Sequence, residues 1–145
     1  MRIGFSKLPF EQYVAEQKKY KLDYETLFSE FKKGYAPLNF DADSKRHARK
    51  IARVLMKKYK HYTILFRKSP SRRGYHFTIF QYEQQLFLPI KDVLRIRKKC
   101  FDCFGRVRAD VVRAKNNLPI SILFDSKNMR DATMWKELKK FGDIR

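Results

Sequence analysis

Asn39-Phe40-Asp41-Ala42-Asp43-Ser44 is the stretch on which the reading of this chain turns. From Tyr35 to Asp43 the residues alternate with period two: Leu38, Phe40 and Ala42 point one way, Asn39, Asp41 and Asp43 the other. The pattern predicts a half-buried strand with both acids on its open face. Such a pair runs against a composition of 34 Lys and Arg to 15 Asp and Glu, a formal net charge of +19. Ser44 then opens a helix to about Tyr59, with Ala48, Ile51, Ala52, Leu55 and Tyr59 as its apolar stripe. Asp43 beside Ser44 also suits a helix N-cap region, so the acid pair reads either as chemistry or as a helix start.

Toward the N-terminus, residues 8–33 read as one or two helices, with Phe10, Tyr13 and Val14 on one face and Tyr24, Leu27, Phe28 and Phe31 on another. Gly34 suits a helix stop, so residues 1–34 are expected as a helical N-terminal layer. Toward the C-terminus, His61 to Arg67 is a second strand. A turn-rich link at 68–74 then leads to a third strand from Tyr75 to Tyr82, and the two should pair as a hairpin. Pro89 suits position N1 of a helix running to about Phe104 and ended by Gly105. Arg106 to Val112 reads as a fourth strand, with Val107, Ala109 and Val111 on one face and Arg106, Arg108, Asp110 and Val112 on the other. Pro119 to Phe124 is a short further strand, and Asp131 to Phe141 a final helix carrying Trp135. The expected fold is a single α+β domain over 1–145, with a ferredoxin-like or RRM-like β-α-β-β-α-β core at 35–130, a C-terminal helix at 131–145 and one open sheet face for the active site.

The charge excess argues for a polyanionic partner, most simply nucleic acid, although a ribosomal or membrane-surface protein is also this basic. Thirteen Phe and eight Tyr exclude a disordered basic tail. No apolar run approaches a membrane span and no signal-peptide h-region is present, so the expectation is an intracellular, cytoplasmic protein. Cys100 and Cys103 form one CxxC without a second half, which two ligands short of a tetrahedral zinc site reads as ordinary thiols. Lys45, Arg46, Arg49, Lys50, Arg53 and Lys57 cover the helix after the acid pair, as a solvated face or a nucleic-acid contact.

If the apolar side of each strand faces the helices, the open face collects Asp41, Asp43, His76, Thr78, Arg108 and Asp110. Three carboxylates from two strands form a hard oxygen site suited to Mg²⁺ or Mn²⁺, and they would repel one another without a cation. Two such ions can clamp an in-line phosphoryl displacement. Arg72, Arg73 and His76 on the neighbouring hairpin, with Lys127 beyond the last strand, would hold phosphates. Plainer readings exist for each: Asp110 as an ion-pair partner of Arg108 or Arg113, and His76 as a structural histidine.

These motifs resemble the archaeo-eukaryotic primase superfamily, the catalytic core of primases and prim-pol enzymes. Asp41-Ala42-Asp43 looks like its acidic DxD at a strand end. Ser71-Arg72-Arg73-Gly74-Tyr75-His76 is similar to its Ser- and Gly-containing turn leading to a strand His. Arg108-Ala109-Asp110-Val111, followed by Pro119-Ile120-Ser121 and Lys127, looks like its third motif. The order agrees from about residue 35 to 130, with departures: Ser69 and Ser71 straddle the expected serine, and Leu123 and Phe124 stand where the family has a His. The resemblance implies template-directed nucleotidyl transfer, with Asp41, Asp43 and Asp110 binding Mg²⁺ or Mn²⁺. Ser71, Arg72, Arg73, His76, Ser121 and Lys127 would contact an incoming nucleoside triphosphate, and the basic helix a single-stranded DNA template. It also admits a helicase or a large primase subunit as partner.

Two rival readings are an RRM-like single-stranded nucleic-acid-binding module and a metal-dependent nuclease. In the first, Arg73 to Phe80 partly matches an RNP1 motif, and Tyr75 and Phe77 stack bases on the open face. That parity is opposite to the primase reading, which turns Tyr75 and Phe77 toward the helices.

Overall fold

A computed structural model describes residues 34–145, so the expected N-terminal helical layer lies outside the described residues. These residues form a mixed α+β fold with three helices and antiparallel sheets. The expected first strand is two: β1 (Tyr35–Pro37) and β2 (Asn39–Ala42). Leu38 separates them, its N–H donated to Leu86 O at 3.1 Å. β1 pairs with β6 (Phe87–Pro89), and β2 with β4 (Tyr75–Gln81). The expected hairpin forms: β3 (Thr63–Lys68) pairs antiparallel with β4, which also carries β5 (Gln84–Gln85) on its far end. The central order is β2-β4-β3-β9, where β9 is Lys136–Glu137.

Register sorts the two sheet faces. Phe40, Phe77 and Phe66 lie side by side across β2, β4 and β3, and all three are buried. Tyr75 and Phe77 therefore face the core, at 3% and 0% exposure, and do not form a stacking platform. Against this core packs α1 (Lys45–Lys58) through Ala48, Ile51, Ala52 and Leu55. Its start is set locally. Ser44 is the N-cap, its Oγ accepting His47 N–H at 3.1 Å, while His47 Nδ1 accepts Asp43 N–H at 3.2 Å. The cap belongs to Ser44, leaving the Asp43 carboxylate outside it.

The second half departs from expectation. α2 (Ile90–Lys99) ends earlier than expected, with Pro89 as its N-cap, and Phe101 at φ 66° turns the chain. α3 (Phe104–Lys115) then occupies the place of the expected fourth strand, with Gly105 in its first turn. Val107-x-Ala109-x-Val111 satisfies period two, but Val107 and Val111 are also four apart and share a helix face. α3 is buried on two sides, by Val107, Val111 and Val112 and by Asp110 and Arg113. That width of burial hides the helical period.

The segment 119–124 is not a strand either. Its backbone is held by side chains: Arg113 Nε donates to Pro119 O at 2.8 Å, Asn39 Nδ2 to Ser121 O at 2.8 Å, Arg106 Nη2 to Ile122 O at 3.2 Å and Arg67 Nη2 to Phe124 O at 3.3 Å. Four long polar side chains do what a neighbouring strand would have done. The sheet face expected to be open is consequently covered over much of its length, with Asn39, His76 and Thr78 at 6%, 4% and 3% exposure.

The expected final helix is also replaced. β7 (Ser126–Lys127) and β8 (Arg130–Asp131) form a small hairpin, β9 closes the β3 edge, and a 3₁₀ turn follows at Phe141–Asp143. Sheet pairing of the exposed β3 edge wins over the helical pattern around Trp135. Among the described residues no helix is long and apolar enough to cross a membrane.

Gly74 fixes how the hairpin meets β2. A Cβ there would press into the Ala42 carbonyl oxygen and lie 3.1 Å from Ser69 Oγ. Gly74→Ala is expected to destabilise the fold by about 1–3 kcal/mol through this backbone clash. Urea unfolding of the two proteins measures it, and an unchanged midpoint would show that the hairpin can retreat from β2 without cost.

Candidate active site

A cavity of about 690 Å³ opens between the end of β2, the β3–β4 turn, α3 and the 119–127 segment. That size is ordinary for a small-molecule site. Asp41 and Asp43 lie on its β2 side, Ser69, Ser71, Arg73 and Gly74 on the turn, His76 on β4, Arg106, Asp110 and Arg113 on α3, and Lys127 on β7.

Asp41 sits where three elements meet. Its N–H donates to Asp102 Oδ1 at 2.7 Å, and its carbonyl accepts Cys103 N–H at 3.4 Å. Its carboxylate lies 4.0 Å from Arg106 Nε and 3.8 Å from His76 Nε2. Burial pushes the Asp41 carboxyl up to about 6, against the opposing pull of Arg106 and helped by Asp102 and Asp43. Burial and the Arg67 guanidinium push His76 down to about 3, so its imidazole is neutral at physiological pH. Arg67 Nε donates to His76 Nδ1 at 3.0 Å, which leaves the ring proton on Nε2, on the Asp41 side. Arg67 is itself held by Asp125 at 2.9 Å and lies 4.3 Å from the Trp135 ring.

Asp110 is placed differently from expectation. It stands on a helix, buried, with Oδ2 accepting Arg97 Nη1 at 2.6 Å and Ser121 N–H at 3.0 Å, and with Oδ1 3.4 Å from Arg113 Nε. Of its plainer readings, the ion pair with Arg113 is present. Arg97, fully buried, also binds Asp102 at 2.5 Å and Ser121 Oγ at 3.0 Å. Burial opposes its charge, but Asp102 and Asp110 outweigh burial and raise its pKa. Asp102 Oδ2 takes Arg106 Nη1 at 2.9 Å as well. Asp110 thus belongs to a neutralising wall behind the cavity, and among the described residues no group of three or more His, Cys, Asp or Glu side chains could hold a metal ion. Asp41 and Asp43 remain as available carboxylates. Such a pair suits Mg²⁺, which keeps several waters and commonly takes one or two carboxylates plus substrate phosphates.

Of the expected phosphate contacts, Ser71, Arg73, His76 and Lys127 line the cavity. Ser71 Oγ accepts Arg73 N–H at 3.2 Å and lies 3.0 Å from Ser69 Oγ, so both straddling serines share the turn. Arg72, at φ 65°, turns away and donates to Asp131 O through Nε and Nη2 at 3.2 and 2.9 Å. Ser121 lies behind the cavity in the Arg97 network. Lys45, Arg46, Arg49, Lys50, Arg53 and Lys57 are all exposed on α1. Three of them have intramolecular contacts: Arg49 donates to Ile144 O at 3.3 Å, Lys50 Nζ lies 4.1 Å from the Phe101 ring and Arg53 5.0 Å from the Phe141 ring. Cys103 lines the cavity, and burial raises its thiol pKa, which keeps it protonated.

Sequence reading missed Arg67, Arg97, Asp102 and Arg106, and gave Arg113 only as an ion-pair partner of Asp110. A signal was present: Asp102, Arg106, Asp110 and Arg113 recur at helical spacing, visible once the segment is read with period 3.6. No protein-family model matches the chain, no curated protein matches it, and no solved structure matches it.

The Asp41 shift gives a signed pH dependence. A carboxyl raised in the fold contributes stability at low pH, and this is lost as pH rises from about 4 through about 6. Asp41→Asn is therefore expected to be more stable than the parent at pH 7.5 by roughly 1–2 kcal/mol, discounted for partial exposure, with the difference shrinking to near zero at pH 3.5. Denaturant unfolding at the two pH values checks the sign. A variant less stable at pH 7.5 would mean that the charged carboxylate is well solvated or paired.

Proposed function

We propose that this chain is a template-directed nucleotidyltransferase resembling a small DNA primase or polymerase catalytic subunit. The observation that carries the reading is the shared cavity. Residues from two separate motifs, Asp41 on β2 with Asp43 just beyond its end, and Ser71, Arg73 and His76 on the hairpin, line one space together with Lys127. Residues 39–81 supply β2, α1, β3 and β4 in the order of the first four elements of an RRM-like unit, which supports a primase-like core. The helical placement of Asp110 weakens its assignment as the third metal ligand, so the reading rests on Asp41 and Asp43.

In this reading Asp41 and Asp43 hold Mg²⁺ or Mn²⁺, which when bound would supply Lewis-acid activation of a 3′-hydroxyl and neutralise phosphate charge. His76, neutral and with its tautomer fixed by Arg67, would donate Nε2–H to a phosphate oxygen. Arg73 and Lys127 would add charge-assisted contacts to the same anion. The exposed basic residues of α1 would follow the single-stranded DNA template by its phosphates, giving a salt-dependent contact without sequence preference. Nucleoside triphosphates and template are the partners this activity needs, with a helicase or large primase subunit as a further partner.

Primer-template extension with labelled nucleotides and Mn²⁺ or Mg²⁺ tests the proposal. Template-dependent product is expected from the parent protein. Asp41→Ala plus Asp43→Ala should lower it at least about 100-fold, and chelation should abolish it. Equal product from parent and variant would remove the acid pair from the chemistry. Shortening of the labelled strand, without extension, would favour the metal-nuclease reading instead.

A further inference from the structure

Arg113 is an unusual burial. It is 2% exposed and lines the cavity from the α3 side. Its Nε is engaged by Pro119 O at 2.8 Å, with Asp110 Oδ1 at 3.4 Å, but Nη1 and Nη2 are both buried without a hydrogen-bond partner among the described residues. Each unpartnered buried donor costs about 1–3 kcal/mol, more on a charged group. The nearest carboxylate does not relieve this. Asp110 Oδ2 is taken by Arg97 Nη1 and Ser121 N–H, and Asp110 is the sole acid paired with Arg113 among the described residues. Burial lowers the Arg113 pKa; Asp110 offsets part of this and the like charge of Arg106 adds to it, leaving a net lowering. Neutral Met of similar length would fill the same space without that penalty.

A guanidinium whose two Nη groups find no acceptor among the described residues carries the fork that matches two oxygens of a tetrahedral oxyanion. Elsewhere on the cavity wall stand further cations, Arg73 on the turn and Lys127 on β7. We propose that Arg113 forms a phosphate-oxyanion subsite on the α3 wall of the cavity, separate from the hairpin, which takes a phosphate group of the bound nucleotide. The identity of the ligand as a nucleotide rests on the function proposed above, whereas the preference for an oxyanion stands on the Arg113 geometry. The ligand supplies the acceptors that the fold withholds, and binding relieves a strain that the free protein carries.

The test uses the whole chain, without divalent metal, and inorganic tripolyphosphate as probe, read by calorimetric titration and by the shift in Tm. The parent protein is expected to bind and to gain Tm. Arg113→Met, which also gives up the Nε contact to Pro119 O, should bind at least tenfold more weakly and gain correspondingly less Tm from the ligand than the parent does. Arg113→Lys, which keeps the charge and loses the fork, should fall between the two. Lys60→Ala, on the exposed surface away from the cavity, should bind as the parent does and so exclude general adsorption to a basic protein. Competition identifies the source: displacement of tripolyphosphate by a nucleoside triphosphate supports the nucleotide assignment, and displacement by a single-stranded oligonucleotide alone overturns it in favour of backbone phosphate. Absence of tripolyphosphate binding by the parent, or parent-like affinity in Arg113→Lys and Arg113→Met, overturns the subsite. If Arg113→Met does not fold, parent-like affinity in Arg113→Lys alone overturns it. Because the readout needs neither template nor metal, Arg113-dependent binding in a protein that extends no primer would retain the subsite and remove the transfer activity.

Discussion

Arg97 is fully buried and bridges Asp102 and Asp110, at 2.5 and 2.6 Å. Asp102 in turn accepts the N–H of Asp41, and Asp110 accepts the N–H of Ser121. One guanidinium therefore ties the corner between α2 and α3, the body of α3, the end of β2 and the irregular 119–124 segment. Removing one partner from such a set leaves a buried charge uncompensated, which costs about 3–5 kcal/mol. The cavity has its shape because these charges were satisfied behind it and not across it.

The arrangement divides the carboxylates into two kinds. Asp102 and Asp110 are saturated by arginines and by backbone donors, so their chemistry is structural. Asp41 is held at its backbone while its carboxylate stays 4.0 Å from the Arg106 guanidinium and 3.8 Å from the neutral His76 ring, beyond hydrogen-bond length. Asp43 is exposed, and Ser44 does the capping of α1. His76 is similarly poised, with one ring nitrogen fixed by Arg67 and the other turned to Asp41. The Asp41 and Asp43 carboxylates are thus positioned by the fold without a hydrogen-bonded cation, and His76 is fixed beside Asp41 in its neutral form.

What the sequence made legible was local. The strand carrying Asp41, the capped amphipathic α1 and the β3–β4 hairpin are each encoded within a few residues by alternation, a cap and a turn, and they form where expected. The parity argument held for Phe40, Phe77 and their neighbours, because a core face must be apolar across all paired strands. It failed at Asp110, where Val107 and Val111 fit both periods and only the charged series Asp102, Arg106, Asp110 and Arg113 marks the helical one. The segment 119–124 was unreadable for another reason: its partners are side chains 6 to 82 residues away, which no local pattern records. Arg106 was read on the open face of a strand and Arg113 as an ion-pair partner, whereas both also act as backbone donors inside the fold.

The order of synthesis gives the Asp41–Asp102 contact a temporal meaning. The strands β2, β3 and β4 are complete by Gln81, and their pairing needs nothing beyond that residue. The N–H of Asp41 nevertheless waits for an acceptor 61 residues downstream. Until Arg97, Asp102 and the 119–124 segment emerge, one face of a finished sheet stands uncovered, bearing Asn39, His76, Thr78 and the Leu65 side of β3. Long-range closure of this kind is slow, and its unfinished forms are the ones that aggregate. The buried arginine wall beside the cavity is thus also a late closure on a growing chain, completed after the sheet it covers.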